Sequence, residues 1–500
     1  MRPGRSRCRI PSLLPSRLPS LLLGLLLAVP AAAELPERVL QIARALDVPA
    51  QDISVWIQPV GSEQPLLTHL PDLPRSPAST MKLVTTFAAL QGLTPAFRWE
   101  TEVHALGPVE KGVLRGDLLL RGHGDPYLVT EEYWKLINGV RQAGIRRIEG
   151  DLVFDTSYFE LPEEDPGAFD GRPDRVYNMP PHPLLVNFNA VRFRFMPDLD
   201  GGVEVMTEPE LPNVAIDNRL GLARHGCYGY QRGVALNVVD AEAERDRVML
   251  EGRFPVGCER YGMTRTVLRP ESYAFGLFDV YWRQLGGELT GRWRLGALPE
   301  DLLSVDPETG APLPDASDGL IHVHRSRPLG DLVRLVNKYS NNVMTRHLQL
   351  TLGAERFGPP ATEPRGNRAI REILEEHGVS LEGLLIDNPS GLSRTAQLSA
   401  RQLGTLLMAA WQAPFMPEFV SSLSLSGLDG TLRNRLGGGP ERGRMHLKTG
   451  TMDEVSAIAG YVQAADGRRY GVVILINSPL ADRGPGEEIQ DALLSWVHDR

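Results

Sequence analysis

The sequence predicts an α/β (α+β) chain in which an antiparallel sheet flanked by helices is interrupted by a large β-rich insertion. Three observations predict it. Helical spacing and strand-like runs occur near both ends of the chain. Between about 99 and 271 the texture changes to short alternating segments punctuated by Gly and Pro. Near the end, two apolar strands, Ser456–Gln463 and Tyr470–Asn477, turn at Asp466-Gly467 and lead into an amphipathic helix.

The chain is ordered as follows. Residues 1–33 place Arg2, Arg5, Arg7, Arg9 and Arg17 before the apolar run Leu21–Leu27 and the small-residue exit Ala31-Ala32-Ala33. That is the layout of a secretory signal peptide, with an N-terminal anchor helix as the alternative. Leu35–Leu46 has helical spacing and Ile53–Val60 reads as a strand. Pro77-Ala78-Ser79 introduces a helix to about Leu90, with Gly92 as its stop. In the insertion, taken as 99–271 and two small subdomains, Val191, Phe193 and Phe195 face one way and Arg192 and Arg194 the other, as in a half-buried strand. Helical patterns return at Tyr273–Leu285, Leu329–Lys338, Asn341–Leu352, Gly366–His377 and Ser399–Trp411. A strand through His446-Leu447-Lys448, the hairpin and a helix over Gly486–His498 close the chain. On this reading 34–98 and 272–500 form one domain around the insertion.

Composition narrows the function. With 42% hydrophobic and 23% charged residues, the 500-residue chain has the ordinary composition of a soluble globular enzyme, not of a disordered or fibrous chain. Cleavage after Ala33 removes five arginines and no acid, taking the net charge from -9 to -14. An acidic exported chain is a poor partner for nucleic acid. No later run reaches 18 apolar residues, so no stable membrane span is expected. Cys8 lies in the leader, leaving Cys227 and Cys258. In an oxidising compartment that pair reads as a disulfide, worth about 3–4 kcal/mol for a loop of this length; two unpaired buried thiols are the alternative. Cysteine and histidine do not occur at zinc-ligand spacing, and neither a metal nor a cofactor is expected. His322-Val323-His324 reads as the alternating side chains of one strand.

Only five of the 53 basic residues are lysine: Lys82, Lys111, Lys135, Lys338 and Lys448. The Arg bias is most simply a codon-composition effect, but lysine can lose its proton when buried and arginine cannot, so the survivors are worth inspecting as places where chemistry would need a neutral amine. Ser79-Thr80-Met81-Lys82 sets a hydroxyl and an amine on one helix face, where they can share a proton. Ser340-Asn341-Asn342 stands at the junction of two helices, where the bland reading is a cap. Lys448-Thr449-Gly450-Thr451 ends a strand, where the Gly lets a substrate backbone lie close and Lys and Thr can hold a carboxylate.

In this order the three motifs resemble those of the penicillin-recognising serine enzymes. Ser79 and Ser340 are 261 residues apart, far more than a single-domain β-lactamase needs. The surplus makes the chain similar to the class C low-molecular-mass penicillin-binding proteins, serine D-alanyl-D-alanine carboxypeptidase/endopeptidases. Gly122-His123-Gly124-Asp125-Pro126, Asp387 with Ser390-Gly391-Leu392-Ser393-Arg394, and Leu428-Asp429-Gly430-Thr431-Leu432 fit that resemblance. Asn388-Pro389 departs from it and is expected to alter a loop, not the chemistry.

The resemblance implies a penicillin-binding/β-lactamase-like transpeptidase domain acting on peptidoglycan stem peptides that end in D-Ala-D-Ala, with β-lactam antibiotics as covalent inhibitors. The exported, bridged, acidic chain is expected in the periplasm, with a Gram-positive exterior as the alternative. It implies Ser79 as nucleophile, Lys82 as its base, and Ser340 with Lys448 as the proton relay to the leaving amine. Asn342 would hold the acyl-side amide and Thr449 and Thr451 the terminal carboxylate. The N–H groups of Ser79 and Thr451 would form the oxyanion hole. Asp125 would reach from the insertion toward the free amino end of the stem peptide, against a simple turn residue. Two other classes compete. A serine β-lactamase needs a deacylating base, and neither Glu132 nor Glu163 lies in an E-x-x-x-N element. A non-catalytic cell-wall peptide-binding module would have no need of Ser79 or Lys82.

Overall fold

The structure, a computed structural model, describes residues 35–198, 200–227, 233–242, 245–258, 261–299 and 319–500. The expected signal peptide lies outside the described residues. The main body is a six-stranded antiparallel sheet in the order Ser424–Leu425, Met445–Met452, Val455–Gln463, Arg469–Asn477, Ile53–Pro59, Leu67–His69. Both faces are covered, so alternation is hidden under continuous apolar sequence and the strands read as greasy runs. Ala457, Ala459 and Tyr461 face the helices Lys82–Leu93, Leu329–Tyr339, Asn342–Phe357, Glu363–Glu376 and Ala400–Gln412. Ile458 and Val462, one residue out of phase, face the helices Glu37–Ala45 and Pro485–His498 through Val39, Ile489, Leu493 and Val497.

The helix after Ser79 runs past its expected stop. Gly92 lies inside it, and a Cβ there would come within 2.8 Å of Ile373 Cδ1 and Leu352 Cδ2. The glycine lets two helices close on the core, and Thr94, at φ 70°, follows the last helical residue.

The insertion holds a five-stranded, a four-stranded and two three-stranded sheets around a core of its own. In its strand Val191–Pro197, Val191, Phe193 and Phe195 are buried and Arg192 and Arg194 exposed, as expected. Its expected end at 271 needs correction. The helix Pro270–Gln284 buries Tyr273, Leu277, Phe278 and Trp282 in the insertion's core, and the strand Leu320–Arg325 pairs with Glu100–Leu106. The chain returns to the main body only at Ser326, whose hydroxyl accepts from Trp99 N at 2.9 Å. Helical spacing reveals an apolar face but not which of two cores will receive it. Cys227 and Cys258 are bonded, Cα to Cα 4.4 Å, across the ends of the parallel strands Val214–Gly226 and Arg245–Gly257. No helix among the described residues is long and apolar enough to cross a membrane.

Candidate active site

Three elements of the main body converge, each carrying one of the short polar motifs. Ser79 lies in a 3-10 turn, Ala78–Met81, that opens the helix Lys82–Leu93. Ala78 is held at φ 43°, a conformation that costs a non-glycine residue free energy and is kept only where surrounding packing dictates it. One turn on, Lys82 projects from the same face with Nζ 3.0 Å from Ser79 Oγ.

Lys82 is fully buried. Nζ also lies 2.7 Å from Asn342 Oδ1 and 2.6 Å from the Ser390 carbonyl. Burial, and then the charge of Lys448, push its pKa well below the ordinary lysine range. Ser340 caps the end of the helix Leu329–Tyr339 in a left-handed conformation, φ 56°, which turns its hydroxyl toward the strand Met445–Met452. There Lys448 Nζ donates to Ser340 Oγ at 2.9 Å and to the Thr449 carbonyl at 2.6 Å. Lys448 is fully buried too, which lowers its pKa to about 7. Asn341, the bland cap, accepts from Met344 N at 3.0 Å and starts the helix that presents Asn342.

The strand's own alternation separates its duties. Met445 and Leu447 enter the core below the sheet, while Lys448 and Gly450 face the helical layer. Gly450 corrects its expectation. A Cβ there would stand 2.8 Å from Pro77 O and from Ser79 N, so its missing side chain makes room for the turn that carries Ser79, not for a substrate backbone. Thr449 and Thr451 reach the surface, and Thr449 Oγ1 donates to Thr431 Oγ1 at 2.8 Å. The short strand Ser424–Leu425 covers only His446 and Leu447, so the strand's edge from Thr449 on has no partner among the described residues.

Asp125 does not join them. It is 3% exposed, its Oδ1 accepts from Tyr127 N at 2.8 Å, and burial pushes its pKa up to about 7. That is the simple turn residue, sealed at the seam where the neighbouring Gly124 carbonyl meets His347 of the main body at 2.9 Å. Glu132, the acid weighed as a deacylating base, is buried in the insertion and paired with Lys135 and Arg327.

Several site contacts carried no sequence signal of their own. The Tyr177 carbonyl, from the insertion, accepts from Asn342 Nδ2 at 3.2 Å. The Ser390 carbonyl on Lys82 belongs to a segment noted only for its resemblance. Lys338 was visible as one of five lysines; it donates to Asp429 Oδ2 at 2.7 Å and to Leu423 O at 2.8 Å, tying the Ser340 helix to the loop that carries Thr431.

The family model described as "D-Ala-D-Ala carboxypeptidase 3 (S13) family" matches residues 37–499. A D-alanyl-D-alanine carboxypeptidase of Actinomadura sp. (strain R39) is 29% identical over 413 residues, covering 78% of this chain and 71% of that one. The D-alanyl-D-alanine carboxypeptidase DacB of Haemophilus influenzae is 26% identical over 408 residues, covering 80% of each. The crystal structure of penicillin binding protein 4 (dacB) from Haemophilus influenzae shares the fold, with a TM-score of 0.75 at 23% identity over 92% of this chain and 99% of that one.

Proposed function

Since the chain belongs to the D-Ala-D-Ala carboxypeptidase 3 (S13) family, we propose that its serine-type D-alanyl-D-alanine carboxypeptidase activity runs through an acyl-enzyme on Ser79. One observation carries the assignment. A neutral amine has two hydrogens and one lone pair, and Lys82 has three polar neighbours. Two of them, Asn342 Oδ1 and the Ser390 carbonyl, can only accept. They claim both hydrogens, and the lone pair is left for the Ser79 hydroxyl.

Ser79 Oγ then attacks the carbonyl of the penultimate D-Ala as its proton passes to Lys82. The N–H groups of Ser79 and Thr451 receive the oxyanion, each donor being worth about 10²–10³ in rate. Ser340, hydrogen-bonded to Lys448, hands the proton to the departing D-Ala amine, and water later frees the shortened stem peptide. The peptide adds as a strand along the open edge beyond Thr449. Thr449 and Thr451 take its terminal carboxylate, and Asn342 exchanges the Tyr177 carbonyl for the acyl-side amide.

The same machinery gives DD-endopeptidase action on a cross-linked peptide, and a penicillin acylates the same serine. Residues 1–33 direct the chain out of the cytoplasm, to the periplasm, where peptidoglycan and an oxidised Cys227–Cys258 pair belong together. The test is release of D-Ala from a stem pentapeptide. The wild-type chain releases it and Ser79→Ala does not; release by Ser79→Ala at the wild-type rate would refute the assignment.

A further inference from the structure

We propose that the turn Asn388-Pro389-Ser390-Gly391 is a positioning device for the base, with Asn388 as its key side chain. It fixes the Ser390 carbonyl so that the Lys82 lone pair is left facing Ser79. This rests on Ser79 and Lys82 being nucleophile and base, and it assigns a role to the segment expected to alter only a loop.

The turn is over-determined. Its residues follow type I preferences, Asn first, Pro second and Gly fourth. Gly391 N donates to Asn388 O at 3.0 Å. Asn388 Oδ1 accepts twice, from Ser390 N at 3.0 Å and from Ser390 Oγ at 2.7 Å, and Ser390 is fully buried. The helix grips two successive carbonyls of the turn. Thr85 Oγ1 donates to Pro389 O at 2.8 Å, and Lys82, three residues earlier on the same face, donates to Ser390 O at 2.6 Å. Gly391, at φ 79°, closes the device: a Cβ there would lie 1.8 Å from Ala78 O, beside the nucleophile.

The chemistry depends on this carbonyl staying in place. If it swings away, one amine hydrogen of Lys82 loses its acceptor and turns to Ser79 Oγ, and the base becomes a donor. Without Asn388, the buried N–H and hydroxyl of Ser390 lose their shared acceptor, which is the penalty that drives such a swing. Lys448, from the strand, is the charged group that acts on Lys82, while Asn342 and Ser390 are neutral. Asp387, at the turn's start, is exposed, and its carboxylate accepts from Ser393 Oγ at 2.5 Å.

The test is the acylation rate of Ser79 by a chromogenic penicillin as a function of pH, in the full chain. Asn388→Ala should lower it on the order of tenfold to a hundredfold at every pH, as misplaced catalytic groups do. Asn388→Asp supplies the same acceptor, so it should recover most of the plateau rate. Its added negative charge favours protonated Lys82, so the acidic limb should move up by about one pH unit. Wild-type acylation by Asn388→Ala would overturn the proposal. So would an Asn388→Asp plateau rate as far below wild type as the loss expected of Asn388→Ala, because the acceptor is retained there; this decides the matter even if the alanine variant fails to fold. A wild-type chain that gives no adduct on Ser79 would instead sink the base assignment, and this inference with it.

Discussion

At the scale of single residues the site works by withholding water from two amines. Lys82 and Lys448 are both fully buried, and burial holds each below the ordinary lysine range, with the charge of Lys448 adding to the effect on Lys82. Acylation should therefore be lost as pH falls through the lowered Lys82 value, where the amine gains a proton and has no lone pair to offer. In Lys448→Met the neighbouring positive charge is gone, the Lys82 pKa rises, and the acidic limb of the acylation profile should move to higher pH. A limb that stays put or moves down would contradict the coupling. Lys82→Arg keeps a basic side chain but one that stays protonated and cannot act as a base, so acylation should fall about a hundredfold or more, read as the rate of penicillin adduct formation.

At the scale of elements, the strand Met445–Met452 and the turn before the helix Lys82–Leu93 are fitted to each other through a single missing methyl group. Gly450→Ala would press Cβ against Pro77 O and Ser79 N, both backbone atoms that cannot rotate aside. Acylation should drop on the order of a hundredfold, and the melting temperature should fall by about a few degrees with the overpacking, measured side by side on one preparation. The same comparison shows what could be read in advance. The three motifs were legible because the chemistry needs Ser, Lys and Asn at fixed spacings on a helix, a loop and a strand. The role of Gly450 was not, because the sequence does not say which side of a strand a close approach comes from. Gly92 misled for the same reason: a stop and a close helix crossing both select glycine. The contacts from Ser390 and Tyr177 were invisible, since a backbone carbonyl can belong to any residue type. Asp125 misled because exposure cannot be read from a Gly- and Pro-rich segment, and the structure seals it under the insertion seam.

At the scale of the whole molecule, two cores divide the labour. The motifs all belong to the main body, while the insertion meets the site at the Tyr177 carbonyl and along the seam at His347. The disulfide lies within the insertion, between strands remote in sequence from all three motifs. A Cys227→Ser/Cys258→Ser chain should lose about 3–4 kcal/mol from the unfolding of the insertion and still acylate at close to the wild-type rate. Equal loss of both would show that the two bodies unfold as one. The residue on which everything else turns is Ser79. Its most direct test is the intact mass of the mature chain before and after benzylpenicillin, with the adduct mapped to a peptide. A lasting one-to-one adduct on the peptide carrying Ser79 is the predicted result. Rapid antibiotic hydrolysis without an adduct, or an adduct on any other residue, would contradict it.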